Sequence, residues 1–169
     1  MANRITRLLR HRMFDEDDVA RVLPPAALAR IESRVKASEE RHGGEIRIYV
    51  EAGLPWSYLR RGATPRERAI AMFGKLGVWD TERNNGVLIY LLLAEHAIEI
   101  VADRGLARHV DDAAWAAITA TMRDHFRRGD FATGLEQAVD AVDALLARHF
   151  PRQAGDVDRN ELPDAPLIG

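Results

Sequence analysis

The segment VLIYLLL, Val87–Leu93, decides the fold class because it is apolar on both faces of an extended chain. Its seven residues suit one strand and are too few to cross a bilayer. A strand that is apolar on both faces is buried on both faces, which is typical of a central strand with helices on each side of its sheet. The sequence therefore predicts an α/β fold.

Two further strands flank this central one. The segment EIRIYVE, Glu45–Glu51, alternates strictly between polar and apolar residues, and a capping box at 64–67 begins a helix between it and the central strand. Strand–helix–strand crossovers join parallel strands, so these two strands are predicted to be parallel. The short segment 94–96 predicts a hairpin into a third, antiparallel strand at 97–103, with Val87 opposite Asp103.

Helical periodicity accounts for most of the remaining chain. Apolar residues recur with helical spacing over 24–43, 111–129 and 130–151, and each segment is bounded by residues that begin or end helices. Together with the strands, they predict a three-layer α/β/α sandwich with a small mixed sheet and helices on both faces. The domain is expected to span residues 24–150.

The two ends of the chain differ from this domain. Residues 1–23 join a basic amphipathic helix, with Ile5, Leu8, Leu9 and Met13 on one face, to the acidic run 15–18. We expect this extension to dock on the domain or on a second subunit rather than on lipid, because the acidic run cancels attraction to an anionic surface. Residues 151–169 lack periodicity and are expected to form a flexible tail.

Composition excludes several classes of function. The 24 basic and 26 acidic residues give a net charge of −2, which argues against nucleic-acid binding. The chain has no cysteine, so a metal site must use oxygen or histidine ligands. It shows no secretory signal and no segment long enough for stable membrane insertion, and we expect a cytoplasmic protein. The usual nucleotide-binding and serine-hydrolase motifs are also missing from the sequence.

A polar loop before the central strand is the strongest candidate site. It carries Asp80, Glu82, Asn84 and Asn85, and the hairpin brings Asp103 to the same end of the sheet. Hard cations such as Ca²⁺ and Mg²⁺ bind several such oxygens on a flexible loop. These five residues are the predicted metal ligands, and Glu45 begins its strand at the same end. An Asn-Gly turn with side-chain hydrogen bonds to its own backbone explains the loop equally well.

Five short motifs stand out: FGKLGV at 73–78, NNGVLI at 84–89, Gly105-Leu106, Asp111, and FRRGDFATGL at 126–135. Together they resemble the TPM domain family, which includes a plant thylakoid lumen protein of photosystem II repair and many bacterial membrane-anchored proteins. It covers about residues 24–150 and implies an α/β/α sandwich. The chain lacks the signal peptide and C-terminal membrane segment of many bacterial members, and it resembles a soluble bacterial branch.

Family members have been described as acid phosphatases and as calcium binders, so the resemblance implies the same two properties here. We expect a divalent-cation site and weak metal-dependent phosphatase activity. Asp80 is the candidate nucleophile or metal ligand, and Asp103 is the candidate second acid. The alternative is a non-enzymatic module that binds a protein partner through the same end of the sheet or through the N-terminal helix.

Overall fold

Four strands form one mixed sheet at the centre of the protein. The structure is a computed structural model that describes residues 4–156 and 160–169. The strands are β1 (Glu45–Glu51), β2 (Gly86–Leu92), β3 (Ala97–Ala102) and β4 (Leu167–Ile168), in the spatial order β3-β2-β1-β4. β1 is parallel to β2, and β2 is antiparallel to β3. The predicted crossover and hairpin are both confirmed.

Helices cover both faces of this sheet. They are α1 (Arg4–Met13), α2 (Glu16–Val22), α3 (Pro25–Glu39), α4 (Trp56–Arg61), α5 (Pro65–Lys75), α6 (Arg104–Ala107), α7 (Asp112–Arg127) and α8 (Phe131–His149). Side chains of α2, α3, α7 and α8 form one hydrophobic core with alternate residues of the strands. Side chains of α5 form a second core with the intervening strand residues, which face the other side of the sheet. The α/β/α sandwich is therefore confirmed.

The predicted pairing of β2 with β3 is wrong by one residue. Val87 lies opposite Ala102 rather than opposite Asp103, whose N–H instead donates to the carbonyl of Gly86 over 2.9 Å. The cause is the connection, in which a 3₁₀ turn is followed by His96 with a φ of 48°. This turn makes the loop four residues long, from 93 to 96, where three were expected.

The C-terminal segment differs from the expected flexible tail. Residues 160–169 lie along the sheet, and β4 adds a parallel partner to the free edge of β1. Leu162 enters the core on the α5 side, and the Arg47 side chain donates to the carbonyls of Pro163 and Ala165. These contacts hold the segment in place. They produce no periodic pattern of apolar residues, so the sequence did not predict them. The part of the predicted tail at 157–159 lies outside the described residues.

The N-terminal extension forms two helices, of which only the first was predicted. α1 docks on the domain, one of the two expected arrangements, through the polar side chains of Arg7 and His11, while Ile5, Leu9 and Met13 on its apolar face are exposed. The acidic run begins α2, where Asp15 caps the helix and exchanges hydrogen bonds with Asp18. Residues 1–3 lie outside the described part of the chain. None of the described helices combines the length and the apolar character needed to span a bilayer.

Candidate functional site

The polar loop between α5 and β2 is held in place by hydrogen bonds from its own residues. Asp80 and Glu82 are exposed, and the N–H of Glu82 donates to a carboxylate oxygen of Glu161 over 3.0 Å. Asn84 has a φ of 51°, and its carbonyl accepts a hydrogen bond from the N–H of Gly105. Of the predicted ligands in this loop, Asp80 and Glu82 present exposed carboxylates.

Asn85 has a structural position in the same loop. It is buried, its N–H donates to the hydroxyl of Thr81, and its side-chain amide donates to the carbonyl of Gly43 over 2.7 Å. This bond joins the loop to the connection between α3 and β1. The turn in this loop runs from Thr81 to Asn84, whose N–H donates to the carbonyl of Thr81 over 3.2 Å. The expected Asn-Gly turn does not form, because Gly86 already begins β2 and the Asn85 side chain bonds to a distant segment.

Asp103 lies beside the loop, as the hairpin predicted, but it is enclosed. One of its carboxylate oxygens caps α6 by accepting from the N–H of Arg104 over 2.6 Å. The other oxygen is buried and has no hydrogen-bond partner within the described residues. Gly105 permits this arrangement because a Cβ there would lie 2.3 Å from the carbonyl oxygen of Asn84.

A cleft of about 280 Å³ opens next to this loop, at the start of β1. Its acidic residues are Glu39, Glu45, Glu82, Asp156 and Glu161, and its basic side chains are His42, Arg83 and Arg152. Within residues 4–156 and 160–169, no three or more histidine, aspartate or glutamate side chains are grouped so as to hold a metal ion. A cation in the cleft would therefore also need amide, carbonyl or water oxygens.

Two glutamates give the cleft its unusual electrostatics. Burial, followed by the charges of Glu45 and Asp164, raises the pKa of Glu39 to about 9. Burial raises the pKa of Glu45 to about 7, against the opposing effect of hydrogen bonds from the N–H groups of Glu161 and Leu162. At neutral pH Glu39 is therefore protonated, and Glu45 titrates in the neutral range.

The histidine of the cleft is buried and neutral. The Nδ1 atom of His42 accepts a hydrogen bond from the N–H of Gly44 over 3.2 Å. Its Nε2 atom lies 3.4 Å from Asp143. Burial lowers the pKa of His42 to about 4, so the ring is neutral. α3 ends at Glu39, so His42 lies in the connection between α3 and β1.

Sequence reasoning missed several residues of this cleft. The sequence predicts that Glu45 lies at this end of the sheet, and Glu39 and His42 precede Glu45 by a few residues in the chain. Glu161 and Asp164 carry no such signal, because they reach the cleft only when the C-terminal segment lies along β1.

Comparisons with known proteins agree with the fold. The TPM domain family profile matches residues 17–145. The structure is similar to that of the BA42 protein from the psychrophilic bacterium Bizionia argentinensis, with a TM-score of 0.76 and 27% sequence identity, over 87% of this chain and 95% of that one.

A second similar structure is the N-terminal domain of a protein from P. gingivalis, with a TM-score of 0.62 and 23% identity. That alignment covers 78% of this chain and 83% of the other, and its low identity supports the fold alone. No curated protein sequence matches this chain. Because the family profile covers most of the chain, including β1, β2 and β3, the chain belongs to the TPM domain family.

Proposed function

We propose that this TPM domain binds a divalent cation, Ca²⁺ or Mg²⁺, in the acidic cleft at the start of β1. The supporting observation is the pair of raised pKa values, about 9 for Glu39 and about 7 for Glu45. Carboxyl groups that are buried together favour the protonated form unless a positive charge offsets their repulsion. A bound cation offsets it and allows both groups to ionise.

The exposed carboxylates at the rim complete the proposed site. Glu82 and Glu161 lie on separate segments that meet through the hydrogen bond from the N–H of Glu82. Of the ligand set suggested by the sequence, Glu82 lines the cleft, whereas Asp80 is exposed on the same loop outside the cleft lining. Because the site has no preformed group of carboxylates, we expect weak binding, with a dissociation constant of roughly 10⁻⁴ to 10⁻³ M.

Isothermal titration with Ca²⁺ at pH 7 tests the proposal. Binding is expected to release protons from Glu39 and Glu45, so the measured enthalpy should differ between two buffers of different ionisation enthalpy. Glu45→Gln should weaken binding by about tenfold or more, since it removes a charged oxygen ligand.

The matched control is Glu40→Gln, which removes an exposed carboxylate from the residue next to Glu39. This variant should bind like the wild type. The proposal fails if Ca²⁺ and Mg²⁺ produce no heat up to about 5 mM, or if Glu45→Gln and Glu40→Gln bind equally well.

Weak phosphatase activity is a second candidate, favoured by an arginine-lined recess beside the loop. The recess has a volume of about 310 Å³ and is lined by Arg83, Arg104 and Arg108. Guanidinium groups bind phosphate oxygens in a bidentate manner. Asp80 is an exposed carboxylate on the loop that also carries Arg83, whereas Asp103 is enclosed and caps α6. We therefore propose Asp80 as the catalytic group and Asp103 as a positioning residue.

Hydrolysis of a chromogenic phosphate ester by the wild type, Asp80→Asn and Arg104→Gln tests this activity. Both variants should lose most of the rate. Arg127→Gln is the control, because Arg127 is an exposed arginine on α7. Equal rates in all four proteins would indicate a contaminating enzyme and would favour the alternative, a non-enzymatic binding module.

A further inference from the structure

α1 leaves a stripe of apolar side chains facing solvent. Ile5, Leu9 and Met13 are 62%, 57% and 78% exposed, and they recur every fourth residue along one side of the helix. Scattered apolar residues are common on protein surfaces, whereas a contiguous stripe on an amphipathic helix is typical of an interaction surface.

The opposite side of α1 attaches the helix to the domain. Arg7 and His11 both contact the carboxylate of Glu95, at 2.6 Å and 2.7 Å. Arg7 also donates to the carbonyl of Ala63, and the N–H of Leu54 donates to His11. Polar contacts therefore fix the orientation of the helix and direct the apolar stripe outward.

α4 extends this apolar surface. A groove of about 190 Å³ between α1 and α4 is lined by Ile5, Leu8, Trp56 and Leu59, with Arg4 and Arg60 at its edges. Trp56 is 61% exposed. Tryptophan is enriched where one part of a side chain meets an apolar phase and another meets water, as at the surface of a bilayer.

The charged residues of the two helices that form this surface are all basic. α1 and α4 contain six arginines and no acidic residue, although the whole chain has a net charge of −2. Among the described residues, Arg4, Arg10, Arg12 and Arg60 form no ion pair. A partner that fits must therefore be both anionic and able to accept apolar side chains.

We infer that the surface formed by Ile5, Leu9, Met13 and Trp56 docks on an anionic lipid membrane. A second copy of the chain fits less well, because the arginines of two facing copies would repel one another. The groove is also too small to hold a partner helix. The acidic residues 15–17, just beyond Met13, oppose attraction to anionic lipid and make the docking reversible.

Vesicle sedimentation tests this inference. Full-length protein should bind vesicles of phosphatidylcholine and phosphatidylglycerol, fail to bind pure phosphatidylcholine, and dissociate at high salt. The double variant Ile5→Ser/Leu9→Ser should weaken binding by about tenfold or more. Arg10→Gln/Arg12→Gln should weaken it roughly thirtyfold, and Asp17→Asn should strengthen it.

The control variant is Ile70→Ser, which changes an apolar residue that is exposed on α5. It should bind like the wild type. The inference is overturned if the wild type does not bind anionic vesicles at low salt, or if Ile5→Ser/Leu9→Ser binds normally. It is also overturned if the wild type is a dimer in solution that this double variant converts to a monomer, since a second copy then covers the surface.

Discussion

β1 begins and ends with a buried glutamate, and the two residues have opposite surroundings. Glu51, at the end of the strand, is contacted by the guanidinium of Arg68 through three hydrogen bonds of 2.5 to 3.1 Å and accepts another from the hydroxyl of Tyr90. Within the part of the chain that the structure describes, Glu45, at the start, accepts two backbone hydrogen bonds of 3.2 and 3.3 Å, and it lies near Glu39 and Asp164. The first carboxylate is fully paired, whereas the second is crowded by groups of its own charge.

This difference separates a structural network from a candidate binding site. A buried carboxylate that is paired with a basic side chain favours one structure. Removing the basic side chain destabilises the folded protein, because it leaves an uncompensated charge buried. A buried carboxylate with a raised pKa keeps its capacity to bind a proton or a cation, which is common at functional sites. The Glu51 end is therefore a structural ion pair, and the Glu45 end is where we propose that a cation binds.

The largest expected effect comes from breaking the paired end. Arg68→Ala should lower the free energy of unfolding by about 3 to 5 kcal/mol, because it leaves the charge of Glu51 buried without its partner. Urea denaturation measures the change. Arg61→Ala is the control, since it removes an exposed ion pair with Glu67 and should cost less than about 1 kcal/mol. Equal losses in the two variants would remove the distinction between the two ends.

A smaller effect is expected from disturbing the loop at the other end. Gly105→Ala should lower the free energy of unfolding by about 2 kcal/mol, because the added Cβ would lie 2.6 Å or less from the carbonyl oxygens of Arg83 and Asn84. Gly74→Ala is a matched control within α5, where a Cβ meets nothing within 4 Å. It should stabilise the protein by about 0.5 to 1 kcal/mol, and a loss there as large as that of Gly105→Ala would contradict the steric explanation.

The smallest effect concerns the crowded end itself. The pKa of Glu39 is about 9 in the folded protein against an ordinary 4.5, so the folded state keeps a proton that the unfolded state has lost between these values. The free energy of unfolding should therefore fall as pH rises from about 4.5 to about 9. Glu39→Gln should flatten this dependence and stabilise the protein at pH 9 by about 1 to 2 kcal/mol, a figure reduced for partial solvent exposure.

Urea unfolding at a series of pH values between 5 and 9 measures this dependence for the wild type and Glu39→Gln. Glu40→Gln, the exposed neighbour, should keep the profile of the wild type. If the free energy of unfolding of Glu39→Gln changes with pH as steeply as that of the wild type, Glu39 has an ordinary pKa. That result would also argue against the proposed cation site.

Local patterns were sufficient for most of the architecture. The alternation over Glu45–Glu51 matches β1 residue for residue, and the capping box at Thr64 begins α5 as predicted. The register of the hairpin could not be predicted from the pattern of residues. The loop has four residues because His96 adopts the left-handed conformation, which the sequence does not indicate. The short helices α2, α4 and α6 span too few turns for periodicity to identify them.

Three of the four strands, most of the helices and the pairings among β1, β2 and β3 could be predicted from the chain alone, because they depend on residues that are close together in it. The edge strand β4 could not, because it forms only when the C-terminal segment meets β1. Tertiary structure decided which polar groups meet. Glu45 receives hydrogen bonds from residues more than a hundred positions away, and α1 turns its apolar stripe outward because Arg7 and His11 reach Glu95. Periodicity shows that a side of a helix is apolar, but whether that side is covered depends on the energy of all the contacts that compete for the helix.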